Sequence, residues 1–544
     1  MNSSFRPVRV LRLGALGLVL LAMVSTALRL AFRGSADAGD TVVIRMAHTN
    51  LQPGAREAYD SLIARYEALH PGVRVEQISV PIRVYYSWLQ TQLIGGTAPD
   101  VIEIRHGQRN EFIARFFLPL TPWVQEPNPY NEGTPLAGIR WRNTFVDGLQ
   151  NDPNYFRGLL DYYAIPGTLR TYRLVANLDL LEQIAGHRRL PRDHAELMAL
   201  CAQAQAWRDP LGRRIEPIAA GGWAGFQLLD RAFRRETQEL EDRLDLTGQR
   251  LLNEEEVAAR GLSGEWSPRS PEVVAGLERM RELGLLLPAG FWSLPVGDVH
   301  FQFLQGRALF VVASSQEMTT LRESATFPTG VTPAPDAPRT LDSDAADGSP
   351  SPRPDPMAEG NVPTMASLGI TRQSRHQEQA LDFLRFLSSF DGNREFSERS
   401  GWMPAVIDVP EPQGMDAFAP ETAGSPPGFS LWLVNAEVHF GLFVNLHHLI
   451  SLQGSVGAFQ DEIEPSYANQ LGKALRTDMR VQREASARLD APLAARAVRV
   501  LLNSGHDPTA PHETQRKRLL DESQASSEAR YLRSGNAVAT PLSP

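Results

Sequence analysis

An α/β fold spread over more than one domain is what the sequence predicts, on three observations. The chain has 544 residues, more than one compact core accommodates, so two or three domains are expected. Apolar strands alternate with helical stretches between residues 41 and 104. An extended run at residues 161–177 then joins this region to a second one of mixed strand and helix.

The mature region opens with an apolar strand at residues 41–46, followed by a polar loop at 47–54. Ala55, Tyr59, Leu62, Tyr66 and Leu69 recur at three- and four-residue spacing, which predicts a helix with one buried face. Pro71-Gly72 stops it, and Val73 and Val75 alternate with Arg74 and Glu76 as a second strand. A helix around residues 88–94, Gly95-Gly96 and a third strand at 100–104 complete a parallel unit with right-handed crossovers. In such sheets ligands gather at the carboxyl ends of the strands. Mostly helical sequence is expected from residue 179 to about 304, then a strand at 307–313. The proline-rich stretch 327–363 reads as a long exposed loop, and helices are expected from 377 to about 488. Beyond Leu489 the sequence predicts one helical patch, 494–502, and a polar, mobile tail.

The formal net charge of −9 argues against a protein that wraps nucleic acid. Arg6, Arg9 and Arg12 precede an apolar run over residues 13–32, the pattern of an export signal. Its length is also near the roughly 20 residues that span a bilayer, so residues 1–40 are a cleaved signal peptide or an anchor formed by 13–32. Either way the body is expected on the periplasmic or outer face of the cell membrane. No cysteine follows the run, which excludes a lipid-modified N-terminal cysteine. The one cysteine, Cys201, lies in an alanine-rich helical stretch and reads as a buried small residue. No His-Glu-x-x-His motif is present, and Gly261-Leu262-Ser263-Gly264 lacks the spacing of a nucleophile elbow. No catalytic residue, metal site or cofactor is expected.

Several landmarks, in order, resemble the family 1 extracellular solute-binding proteins, the maltose-binding-protein-like class. Gly95-Gly96-Thr97-Ala98-Pro99-Asp100 matches the family's glycine-rich turn and Pro-Asp strand start. Tyr163-Ala164-Ile165-Pro166 and Val175-Ala176-Asn177 look like its first crossover. Phe303-Leu304-Gln305-Gly306-Arg307-Ala308 is similar to its return strand, and Gly369-Ile370 with Ala380-Leu381-Asp382-Phe383 resembles the region of its third crossover. Gly401-Trp402-Met403-Pro404 resembles its glycine-x-x-proline turn. The resemblance implies a periplasmic-binding-protein type II fold, two α/β lobes joined by crossing strands with a ligand cleft between them. It puts the N-lobe at 41–170 plus 310–374, the C-lobe at 171–309 plus 375–488, and a partly mobile extension at 489–544. The implied function is capture of a sugar or oligosaccharide for an ABC importer, by hinge closure, with the membrane permease as partner and the protein itself a monomer.

A sugar needs donors and acceptors for its hydroxyls and aromatic faces for its C–H patches. On the N-lobe the candidates are His48, Thr49 and Asn50 after the first strand, Glu103, Arg105, His106 and Gln108 at the end of the third, and Ser314 and Gln316 after the return strand. On the C-lobe they are Trp223 and Phe226, where relatives carry stacking aromatics, with Trp402 by the third crossover. Each has a structural alternative: Trp223 and Trp402 as core packing, Glu103 as half of an ion pair, Arg105 as a solvated surface residue. Two other classes remain open, a glycan-acting enzyme with paired carboxylates and a membrane-anchored sensory subunit. Arg105 and His106 would also suit an anionic solute.

Overall fold

The structure, a computed structural model, describes residues 41–151, 153–245, 252, 254–337, 357–359, 364–430, 436–503 and 510–533. The export segment 1–40 and most of the proline-rich stretch lie outside the described residues. In chain order the strands are β1 (Val42–His48), β2 (Val73–Ser79), β3 (Val101–Glu103), β4 (Tyr155–Phe156), β5 (Asp161–Tyr162) and β6 (Thr168–Leu169). They continue with β7 (Tyr172–Asn177), β8 (Glu216–Ala219), β9 (Ala308–Ser314), β10 (Thr329–Thr332), β11 (Thr364–Met365) and β12 (Leu368–Ile370).

The first sheet has the order β12-β3-β1-β2. β1 is parallel to β2 and β3, as the strand–helix alternation predicts, and β12 returns antiparallel to β3. The intervening helix Pro53–Leu69 starts with proline at its first turn, where the missing N–H costs nothing. It buries Ala55, Tyr59, Leu62 and Tyr66 against Ile44, Met46 and Val101. The second sheet has the order β10-β7-β9-β8, with β7 antiparallel to β9 and β8 parallel to it. Its core is built from Leu174, Ala176, Leu229, Phe233 and Phe310 beneath the helices Gly222–Glu236 and Pro271–Gly284. Cys201 is fully buried in this core, and burial pushes its thiol up to about 12.

Three expectations need correction. First, sheet membership differs from the expected lobes: β9 and β10 pair with β7, in the second sheet, because the chain returns antiparallel beside the strand that entered. Helices Gln377–Leu387 and Phe390–Ser400 pack instead on the first, where Phe383, Phe386 and Phe396 meet Tyr59 and Tyr66. Second, Thr329–Thr332 is an edge strand on β7 rather than part of an exposed loop, and Ala337 and Met357 are buried. Proline-rich sequence tolerates an edge strand because one side of it needs no partner. Third, the described part of the C-terminal region is ordered helix: Val456–Asn503 followed by Ala510–Arg533. Phe459, Ile463, Tyr467, Leu471, Leu475 and Met479 recur every four residues and are buried in the second core. Pro492 sits within the first of these helices without ending it.

Asp478, on the long helix, has no cation paired with it among the described residues. Burial, then the nearby carboxylates of Glu255 and Glu111, push it up to about 7. A folded-state value above the unfolded one means the folded protein holds this proton more tightly. The associated stability is present below pH ~4 and is lost as pH rises towards 7. Asp478→Asn should therefore raise stability by about 1–3 kcal/mol at pH 8 and change it little at pH 4. Urea unfolding midpoints at the two pH values check this, and an equal effect at both would contradict it.

Candidate functional site

β1 and β3 are parallel neighbours, so the residues following them emerge side by side at one end of the first sheet. Thr49 and Glu103 meet there. The Thr49 backbone N–H and hydroxyl both donate to Glu103 Oε2, at 2.7 and 2.9 Å. Arg105 closes the group, its Nη1 donating to Thr49 Oγ1 at 2.9 Å and to Glu103 Oε1 at 3.0 Å. The Glu103 side chain is 1% exposed and that of Arg105 21%. Burial works against the Arg105 charge, but Glu103 and the Tyr86 hydroxyl more than offset it, so the guanidinium titrates above its ordinary value. Of the two alternatives for Glu103, the ion pair is realised, and it sits at a strand end.

His48 is fully buried. Its Nδ1 accepts from the Asn50 N–H at 3.1 Å, which leaves the ring proton on Nε2 to donate to Gln77 Oε1 at 2.9 Å. Burial lowers its pKa, so the ring is neutral near pH 7 and acts as a structural pin. Asn50 is buried, His106 is exposed with Nε2 3.0 Å from the Thr364 carbonyl, and Gln108 is half-buried.

In the second sheet β9 ends at Ser314 opposite Tyr172, the first residue of β7, and β8 runs in the same direction alongside. The buried Gln316 accepts from Arg170 through Oε1, with Nε at 2.9 Å and Nη2 also donating. Ser314 is buried, its N–H donating to Glu317 at 2.8 Å. Burial and the Glu317 carboxylate raise the Tyr172 phenol above its ordinary value, while Arg170 holds it down.

The aromatic candidates divide. Trp223 follows the end of β8, is 47% exposed and stacks on Phe226 at 5.2 Å between centroids. Phe226 is buried beneath it, and Trp402 is 2% exposed in the first core against Phe396. The expectation for Phe226 and Trp402 as sugar platforms is therefore not met in this structure, because packing claims both rings.

A recess opens beside Tyr172, enclosing ≈ 770 Å³ with the solvent at its mouth included. The start of β7, the helix Gly222–Glu236 and residues 333–334, 357–359 and 427 wall it. Four arginines line it. Arg173 is held by Glu359 at 2.6 Å, Arg231 by Asp336 at 2.9 Å and Glu421 at 3.1 Å, and Arg234 donates to the Gly428 carbonyl at 2.9 Å. Arg170 has no carboxylate partner among the described residues. These residues were missed from sequence, although Arg170 and Arg173 flanking Tyr172 on an extended segment were a readable signal. Arg231 was not, because a basic residue on an amphipathic helix ordinarily faces solvent.

The model of one family matches residues 61–421, described as bacterial extracellular solute-binding protein. The chain belongs to that family. Its members bind solutes and are not enzymes, so the site of this solute-binding protein has a ligand to hold and no reaction to run. The family description also carries an extracytoplasmic setting. Among solved structures, a chitin oligosaccharide binding protein is 17% identical with a TM-score of 0.55, covering 80% of this chain and 100% of that one. A probable secreted solute-binding lipoprotein from Streptomyces coelicolor is 16% identical with a TM-score of 0.56, covering 79% and 99%. The GacH receptor of Streptomyces glaucescens is 14% identical with a TM-score of 0.51, covering 79% and 98%. These likenesses show a shared fold, two α/β domains linked by crossover strands. No match was found among curated proteins. Among the described residues no helix is long and apolar enough to cross a membrane, and no three side chains are grouped to hold a metal.

Proposed function

We propose that this solute-binding protein captures a sugar or oligosaccharide between its lobes by hinge closure and delivers it to the permease of an ABC importer. What supports this is a polar group at the strand ends of each sheet, Thr49–Glu103–Arg105 on the first and Arg170–Gln316 on the second, with the exposed indole of Trp223 at the same end of the second sheet. Hydroxyls of a sugar are matched by the first two, and its C–H face by the third. The strand order β12-β3-β1-β2 supports the type II arrangement. A solute that touches both groups only when the lobes close stabilises the closed state by that difference in contacts.

Arg170 favours one class of sugar. It is the only arginine of the recess lining that lacks both a carboxylate and a main-chain carbonyl partner among the described residues, donating to the neutral Gln316 instead. A solute bearing a carboxylate would supply the missing countercharge. Thermal unfolding in the presence of neutral sugars and their matching uronic acids tests both statements. A ligand at 100 times its Kd stabilises by about 2.7 kcal/mol, enough to move the midpoint by a few degrees. The uronic acids are expected to give the larger shifts, and Trp223→Ala to weaken binding roughly tenfold. Silence from every sugar would remove the carbohydrate assignment, and equal shifts for acid and parent would remove the role of Arg170.

A further inference from the structure

The C-terminal helical hairpin crosses from one lobe to the other. Helix Val456–Asn503 has 48 residues, about 70 Å of chain, and it changes neighbours along its length. Its first half lies in the second core through the four-residue stripe of Phe459 to Met479. Ion pairs from Arg269 to Asp461 at 2.7 Å and to Glu464 at 2.8 Å fix that half to the second lobe. Beginning two residues further on, Val481, Ala485 and Leu489 enter a different core, with Tyr85, Ile102, Ile113, Phe117 and Tyr163 of the first lobe. Arg480 reaches Glu111 there at 2.7 Å.

Helix Ala510–Arg533 folds back antiparallel. Arg496 pairs with Glu513, Lys517 with Asp490 at 2.8 Å, and Arg483 with Glu528 at 2.8 Å. It adds Leu520 to the first lobe's core and presents Arg516 to Asp161 of β5 at 2.8 Å. The Asp161 side chain is 2% exposed and that of Arg516 15%. Arg516 also donates to the Leu159 carbonyl at 3.2 Å and the Tyr163 hydroxyl at 3.3 Å. The pair and the Leu520 side chain beside it set where the second helix meets the first lobe.

We propose that this hairpin is an intramolecular clasp, anchored in the second lobe and latched onto the first through Arg516 and Asp161, which limits how far the two lobes separate. Crossing strands alone leave a hinge free to open. A helix seated in both cores must slide, bend or unlatch before it does. The family match ends at residue 421, so the clasp is carried by sequence that the match does not cover.

The test needs no solute and therefore stands apart from the carbohydrate assignment. Spin labels are placed on full-length protein at Arg74→Cys on the first lobe and Gln205→Cys on the second, both exposed positions, and the distance distribution is measured by pulsed electron resonance. The parent is expected to give one narrow distribution. Asp161→Asn with Arg516→Met, which removes both charges together, is expected to lengthen and broaden it. A distribution unchanged in the folded double variant would overturn the proposal. So would a parent that is already broad, a result that requires no variant to fold.

Discussion

Replacing Arg173 with Met is expected to lower the unfolding free energy by about 3–5 kcal/mol, the scale for breaking a buried charged network from one side. The guanidinium is 1% exposed and every edge of it is used. Nε donates to the Ala417 carbonyl at 2.7 Å, Nη1 to the Tyr172 carbonyl at 2.8 Å and to Glu359 at 2.6 Å, and Nη2 to the Ala419 carbonyl at 2.7 Å. Met matches the length of the side chain and supplies no donor, so the Glu359 carboxylate and three main-chain carbonyls lose this donor together. Glu359 retains the Glu421 N–H at 3.2 Å and Arg231 at 3.9 Å, the latter too far for a hydrogen bond. Because Glu359 and two of those carbonyls belong to segments 357–359 and 417–419, the loss should also loosen the wall of the recess. Urea unfolding followed by tryptophan fluorescence gives the free energy. A loss below about 1 kcal/mol would mean the network is dispensable.

Glu103→Gln should cost roughly 2–4 kcal/mol of stability and, with the solute held at this strand end as proposed, weaken its binding by about a hundredfold. The substitution keeps the shape and removes the charge that balances Arg105. It also replaces an acceptor by an amide NH₂ facing groups that themselves donate: the Thr49 N–H, the Thr49 hydroxyl or Arg105 Nη1. Only one carbonyl oxygen remains to serve all three. Thr49→Val is the milder control, since it spares the ion pair and the main-chain bond. Calorimetric titration with whichever sugar stabilises the parent separates the two effects. Equal affinity in the Gln variant and the parent would place the solute elsewhere.

The first sheet was legible because its signals are local. Strands of alternating or continuous apolar residues, a helix with one apolar face and the Pro71-Gly72 stop act within a few residues of one another. Pairing between distant segments was not. Nothing local in residues 308–314 says that they lie beside 172–176, and nothing in residues 377–400 says that they cover Tyr59 and Tyr66. The site divides the same way. Residues at strand ends, such as Thr49, Glu103 and Arg105, follow from topology alone, whereas Trp402 required knowing which ring the core had claimed. The ordered C-terminal helices were hidden by their own polarity, since charges that look solvated in sequence are spent on partners up to 369 residues away, as Arg480 is on Glu111.

The position of Cys201 has a bearing on how the chain matures. Before the chain folds its thiol is exposed, and in an oxidising compartment two copies can be bridged covalently. Once the helix His194–Ala206 docks, that sulfur is sealed in the second core and its thiolate is suppressed. Covalent pairing of copies is thus a hazard confined to the interval before folding, and reductant should raise the yield of refolding without affecting the finished protein.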